Sequence, residues 1–181
     1  WELDNHWDLD VDQCVMIAAP HTSNWDALYA RLALKALGVN VRLTIKDSYM
    51  KLPFGPFVRA MGGIGIDRRV KQAGQERPSM VQLMSDLFKT HPKLVMLVTP
   101  EGTRAKQEQW KTGFYHVAMT AGVPIALAYM DYAKKKTGVG KMIYPTGNYE
   151  QDMAEIMAFY AEINAKHPEK FSVDQRYANN K

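Results

Sequence analysis

Leu94-Val95-Met96-Leu97-Val98 is an unbroken apolar run, closed by Thr99-Pro100 and followed at once by Glu101-Gly102-Thr103-Arg104. A short continuous apolar run that stops at turn residues fits a strand buried on both faces. Working outward from it, strand-like runs alternate with segments of helical period. Cys14–Ala19 reads as a second buried strand, ended by Pro20. Ser23 or Asn24 caps a helix that reaches about Leu37 and is stopped by Gly38. That helix carries Leu28, Leu32, Leu34 and Ala36, too dense an apolar set for an exposed helix. Val39–Lys46 alternates as a strand with Val39, Val41, Leu43 and Ile45 inward. Ser48–Met61 is irregular, interrupted by Pro53 and Pro56, and Gly62–Ile66 leads into a short strand.

Downstream, Ser79–Lys89 holds Met80, Leu83, Met84, Leu87 and Phe88 at helical spacing, with Pro92 beyond. Gly113–Ala121 forms another helix before Gly122, Val123–Met130 and Lys141–Tyr144 are strands, and Asp152–Ala165 is a last amphipathic helix. The tail after His167 is polar and unpatterned. There is no internal repeat, linker or low-complexity tract. The expectation is one α/β domain over residues 1–181, with a mixed, mostly parallel central sheet flanked by helices.

The chain has 181 residues, a net charge of +4 and a single cysteine, Cys14. One cysteine supports neither a disulfide framework nor a cysteine-based metal site, and it fits a reducing compartment. Its place in an apolar run makes it a buried, inert thiol. The modest positive charge suits an anionic surface or a phosphate-bearing ligand. Lys134-Lys135-Lys136 is the one tight basic run, read as a solvated turn or a contact to anionic headgroups. No apolar run approaches the ~20 residues that cross a bilayer. The chain starts at Trp1 rather than Met, which leaves room for an upstream membrane-contacting segment.

Chemistry concentrates at two places. His21 and Asp26 are separated by Thr22-Ser23-Asn24-Trp25 at the junction of the Cys14 strand and the next helix. Five positions turn an ideal helix by about 140° beyond a full turn, so the two do not share a helix face. The pair works with His21 on the loop and Asp26, in the first helical turn, reaching back to it. A carboxylate on one imidazole nitrogen fixes the tautomer and raises the basicity of the other. His21 is then a base for an alcohol. His6, His91, His116 and His167 have no such setting and read as structural or surface residues.

Glu101-Gly102-Thr103-Arg104 forms the second place. Loops at strand ends are where α/β proteins build sites. Gly102 permits a turn whose amides face an anion, Thr103 adds a hydroxyl, and Arg104 a charged fork for phosphate. Glu101 either holds the arginine or contacts an acceptor hydroxyl. Arg68 and Arg69 follow the Gly62 strand, and Lys111 comes shortly after the second loop. A base, a carboxylate and an anion-binding turn are the parts needed to move an acyl group onto an alcohol that carries a phosphate.

The order of these segments resembles the glycerolipid (lysophospholipid) acyltransferases, typified by the 1-acylglycerol-3-phosphate acyltransferases. The resemblance runs from about Val15 to Leu127. It rests on His21-x4-Asp26, on Gly62 to Arg68, on Pro100 to Arg104, and on Val123-Pro124-Ile125. The chain departs from that pattern at Gly65, where an aromatic is common, at Thr99, where Phe is usual, and at Leu127, where a second Pro is expected. These departures bear on acceptor and acyl-chain preference.

The resemblance implies an O-acyltransferase that takes a fatty acyl group from acyl-CoA or acyl-carrier protein as co-substrate, with no other cofactor and no metal. The acceptor would be the free hydroxyl of a lysophospholipid, above all 1-acylglycerol-3-phosphate. His21 would be the general base, Asp26 would orient it, and no acyl-enzyme would form. Arg68, Glu101, Gly102, Thr103, Arg104 and Lys111 would hold the acceptor. Leu52, Phe54, Phe57 and Met61 would line an acyl groove or face the membrane, or pack in the core. The enzyme would sit peripherally on the cytoplasmic face of the membrane, with no nucleic-acid partner. A lyso-aminolipid acceptor keeps the same chemistry. A hydrolase would need a nucleophile elbow, and no Gly-x-Ser-x-Gly occurs. A non-catalytic lipid-binding module would not need both His21 and Asp26.

Overall fold

The computed structural model describes residues 1–7, 10–51, 53, 55–60, 62–66 and 78–178. Among the described residues, seven strands form one sheet in the order β1-β7-β6-β2-β5-β3-β4. They are β1 (Glu2–Asn5), β2 (Gln13–Ala18), β3 (Val41–Lys46), β4 (Gly63–Ile66), β5 (Leu94–Val98), β6 (Ile125–Asp131) and β7 (Lys136–Ile143). All neighbours run parallel except the β6–β7 pair. The helices are α1 (Asn24–Ala36), α2 (Gly55–Ala60), α3 (Met80–Thr90), α4 (Gly113–Ala121), α5 (Tyr149–Ala161) and α6 (Gln175–Ala178). This is the expected α/β architecture with a mixed, mostly parallel sheet.

The central strands β2, β5 and β6 are buried on both faces because consecutive side chains point to opposite sides of a sheet. On β2, Val15 and Ile17 join Leu94, Met96, Phe114, Met153 and Tyr160 in the core on one face. Cys14 and Met16 point the other way, toward Leu34, Val39, Ala126 and Ala128 beneath α1. Cys14 is fully buried, and that burial pushes its thiol up to about 12. A thiol held protonated in this way is inert.

Several elements depart from the sequence reading. β3 starts at Val41 because Gly38, with φ +73°, ends α1 and lets the Val39 N–H turn back to the Leu34 carbonyl. The irregular stretch contains α2, where Pro56 occupies the first turn, the one helical position that loses no hydrogen bond to proline. β7 extends back to Lys136, through Gly138 and Gly140. A Cβ at Gly138 would collide with the Asp4 carbonyl on β1, and one at Gly140 would meet the Phe159 ring at 2.6 Å. Close approach has replaced apolar alternation there, which hides the strand from a pattern search. β1 pairs with β7 through Glu2-Leu3-Asp4-Asn5, a segment without strand character of its own.

α5 starts earlier than expected, at Tyr149, because the Asn148 side chain caps it by accepting from the Gln151 amide. The polar tail is also structured. Asp174 is completely buried, and it accepts from the Trp110 amide at 2.8 Å and from Arg176 at 2.6 Å. Among the described residues, no helix is long and apolar enough to cross a membrane.

Candidate active site

β2 and β5 lie side by side and parallel, with Ile17 opposite Val98. The chain therefore leaves both strands at the same edge of the sheet, where parallel α/β proteins place their sites. The segment Ala19-Pro20-His21 leaves β2, with a cis peptide before Pro20. The loop from Thr99 to Arg104 leaves β5. The two touch: the His21 amide donates to Glu101 Oε2 at 2.7 Å. Two segments eighty positions apart in the chain thus meet at one edge of the sheet.

Asp26 does more than face the imidazole. It occupies the third position of α1, and Ser23 is the helix cap, accepting from the Trp25 amide at 3.2 Å. Asp26 Oδ2 accepts from the Thr22 and Ser23 amides at 2.7 Å each. This reciprocal box pins the turn that carries His21. His21 Nδ1 lies 3.8 Å from the same Oδ2, in electrostatic contact but beyond hydrogen-bond length. Its position leaves Nε2 as the nitrogen free to meet a substrate. Such contacts are often longer without substrate than with it.

The net effect on His21 differs from the sequence expectation. Burial lowers its pKa most, Asp26 raises it, and Arg104 lowers it, leaving it below the usual 6.5. His21 is thus neutral at pH 7 and can accept a proton. Arg104 acting on His21 also places the guanidinium within electrostatic reach of the imidazole.

The other oxygen of Asp26 has a partner that sequence reasoning missed. Tyr132 donates its hydroxyl to Asp26 Oδ1 at 2.7 Å. Tyr132 directly follows β6, the parallel neighbour of β2, so it emerges at the same sheet edge. The end of the apolar run Val123–Met130 was the signal available for it, by the same strand-end logic that singled out Arg104. Behind the site, the fully buried Tyr160 shares its hydroxyl between the Ile17 and Ala128 carbonyls, each at 3.0 Å. It ties α5 to the ends of β2 and β6.

On the β5 side, Glu101 is buried and Gly102, Thr103 and Arg104 are exposed. Desolvation raises Glu101 to about 7, against the lowering effect of the His21 amide and with a further push from Asp26. Gly102 adopts φ +67°, and the Lys111 side chain lies across it, with Nζ 2.6 Å from where a Cβ would stand. The left-handed backbone favours glycine there, and the Lys111 ammonium comes to the tip of the loop. The Gly102 amide donates to the Thr99 carbonyl at 3.1 Å, so it is held in the turn rather than presented to a ligand. Thr103 Oγ1 accepts from the Ala105 amide, which leaves its own hydrogen to donate outward. Arg104 and the Thr103 hydroxyl stand exposed on this loop and Lys111 lies across its Gly102, groups whose chemistry suits a phosphate.

Arg68, Leu52, Phe54 and Met61 lie outside the described residues. Phe57 is two-thirds exposed at 67%. A cavity of about 270 Å³ runs elsewhere, beneath α1, from His21 and Asp26 inward past Ala30, Leu34, Leu43 and Leu97. Small residues on α1 line it: Ala27, Ala30 and Ala33 leave space that bulkier side chains would fill. Among the described residues, no cluster of His, Cys, Asp and Glu has the makings of a metal site.

Residues 5–131 match the family model described as Acyltransferase. The chain belongs to the glycerolipid acyltransferase family. No curated protein matches it in sequence. The acyltransferase match takes in β2 through β6 and both loops that carry the candidate site residues. Tyr132 and the C-terminal segment around Asp174 lie beyond it. The family assigns acyl transfer to a lipid-type acceptor.

Proposed function

We propose that the protein transfers a fatty acyl group from the thioester of acyl-CoA or acyl-carrier protein to the free hydroxyl of a phosphate-bearing lysolipid, with 1-acylglycerol-3-phosphate as the leading acceptor. The observation that carries this reading is the contact of the two loops. The segment that carries His21 and the loop that carries Arg104 meet at one sheet edge through the His21–Glu101 hydrogen bond, and Arg104 acts electrostatically on the imidazole. His21 Nε2 takes the proton from the acceptor hydroxyl as its oxygen attacks the thioester carbonyl. The tetrahedral intermediate collapses, the C–S bond breaks, and the imidazolium returns its proton to the thiolate. No acyl-enzyme is needed.

The candidate nucleophiles support that simplicity. Ser23 Oγ caps α1, and Cys14 is sealed in the sheet. Asp26 steadies the imidazole and offsets the charge it gains. Arg104, Lys111 and Thr103 hold the acceptor phosphate, and Arg68 is proposed to join them. The apolar cavity under α1 takes an acyl chain, each buried methylene contributing about 0.8 kcal/mol. The substrates are lipids, so we propose that the enzyme works at a membrane surface, on its cytoplasmic side.

The test is a panel of lysolipid acceptors, with and without phosphate, against both donors. Lysophosphatidate turnover is expected to exceed that of phosphate-free acceptors, with an acid limb below the usual histidine range. His21→Ala is expected to lose roughly 10²–10⁴-fold in kcat, the usual worth of a general base. Unchanged turnover in that variant, with the fold intact by circular dichroism, removes the base assignment.

A further inference from the structure

The sequence led us to expect the apolar residues of α1 to be buried. Most of them are not. Trp25, Leu28 and Leu32 are exposed at 53%, 46% and 55%, and Tyr29 at 37%. These positions are spaced three and four apart, so they form one continuous stripe along the outer side of the helix. The inner side is also apolar, burying Ala33 and Leu34 and lining the cavity with Ala27 and Ala30. An apolar helix of this kind normally has cover on both sides. Here the outer side stays exposed at Trp25, Leu28 and Leu32.

The stripe widens beyond α1. The exposed Trp1 ring stacks on Tyr29 with centroids 5.8 Å apart and meets Tyr132 edge-on at 5.1 Å. Two ammonium groups sit on this aromatic ground: Lys135 is 5.5 Å from the Trp1 ring centre and Lys166 is 5.7 Å from that of Trp25. Lys35 lies on the same helix face, one position-triplet beyond Leu32. Lys134 and Lys136 border the patch but are engaged by Asp131 and by Glu2 and Asp4.

We propose that this face of α1 is a docking surface for an anionic lipid bilayer, with the helix lying in the headgroup layer. This deepens the reading of the same site given above, and rests on it for the lipid acceptor. Three features select the occupant. Trp and Tyr prefer the boundary between water and hydrocarbon. Lysines that lie over apolar surface while keeping their charge outward match anionic headgroups. A second copy of the chain is disfavoured, because a two-fold contact pairs this patch with itself and so sets the positive charge of Lys35, Lys135 and Lys166 against the same charge on the other copy. The geometry also serves the chemistry. The docked helix carries Asp26 at its first turn and roofs the cavity, so an acyl chain leaving the bilayer has one helix to pass.

The experiment is cosedimentation of the full-length protein with vesicles of phosphatidylcholine alone or mixed equally with phosphatidylglycerol. The wild type is expected to bind the mixed vesicles at least tenfold more tightly. The double variants Leu28→Glu/Leu32→Glu and Leu28→Ser/Leu32→Ser are expected to lose at least tenfold of that binding, with thermal midpoints unchanged. Met119→Glu, at an exposed apolar site on α4, is the control and keeps it.

Turnover of a short-chain, monomeric lysophosphatidate is expected to stay constant in the double variants, while turnover of vesicle-embedded acceptor falls with binding. The two readings then separate. Lost vesicle binding in the variants, with no acceptor turned over even by the wild type, leaves the docking face standing and removes the acceptor assignment. Equal vesicle binding by wild type and both double variants overturns the docking face whatever the turnover. It is also overturned if Trp25 is already shielded from acrylamide quenching without vesicles, since protein then covers the stripe.

Discussion

The two faces of the sheet are built to different rules. Under α3, α4 and α5, large side chains fill the space: Phe88, Phe114, Met153 and Tyr160 are all buried at 5% exposure or less. Under α1 the helix offers alanines, and the space they leave is a cavity that opens beside His21. One face is packed to the density that stabilises a fold. The other gives up that packing and leaves a cavity. The contrast teaches that apolar content alone does not identify a core, because the same residue types line a filled interior on one side and a vacant passage on the other.

Substitutions of opposite sense probe this contrast most strongly. Phe114→Ala on the filled face is expected to cost about 3–5 kcal/mol in denaturant unfolding, the usual loss for a large buried aromatic. Ala30→Leu on the open face is expected to change stability by less than about 1 kcal/mol, because it enters existing space rather than a packed one. Its effect belongs in turnover, as a shift toward shorter acyl donors. Equal destabilisation by the two would erase the distinction between the faces.

Next in size is a pH effect where the two loops meet. Glu101 has a folded pKa of about 7 against an ordinary 4.5. The folded state therefore holds this proton more tightly than the unfolded one. Its stabilising contribution is complete below about 4.5 and is lost as pH rises through 7. Glu101→Gln keeps a carbonyl for the His21 amide and removes the titration. Unfolding midpoints at pH 5 and pH 8 are expected to converge in the variant and to differ by roughly 2 kcal/mol more in the wild type.

Arg104→Ala is expected to raise KM for a phosphate-bearing acceptor by roughly 10–100-fold, in keeping with about 1.5–3 kcal/mol for a charge-assisted hydrogen bond. It should leave a phosphate-free acceptor nearly untouched. Equal loss on both acceptors would make the arginine structural. Tyr132→Phe has the smallest expected effect. Removing one hydroxyl from Asp26 is expected to lower kcat by roughly 2–10-fold, near the worth of a single buried hydrogen bond. The acid limb of the pH profile is expected to shift upward, because Asp26 attracts the imidazolium more strongly without its partner. An unshifted limb would confine Tyr132 to packing.

Much of this was legible in the primary structure. The run Leu94–Val98 marked a strand buried on both faces, and the loop after it marked one part of the candidate site. His21 was placed at a strand end by Pro20 and the Ser23 cap. What escaped notice depended on partners far along the chain. Tyr132 matters through a carboxylate 106 positions away. Glu101 holds the backbone of His21, a role that neither heptad nor strand period encodes. Gly138 and Gly140 belong to a strand whose residues were selected for closeness to Asp4 and Phe159, so the alternation that announces strands is missing. Leu28 and Leu32 satisfied a burial pattern without being buried, since periodicity shows that a helix has an apolar side and not what meets it.

Asp174 joins the far end of the chain to the acceptor side of the candidate site. Its carboxylate holds the Trp110 amide, the Trp110 indole donates to the Ser172 carbonyl at 2.9 Å, and the Gln175 amide donates to Glu108. Lys111, which crosses Gly102, is the next residue. The last ten or so described positions therefore act as a buckle on the loop proposed to hold the acceptor phosphate. Clipping them by a protease would slacken that grip while the imidazole stayed in place, yielding an enzyme that still turns over saturating acceptor but no longer competes for scarce acceptor.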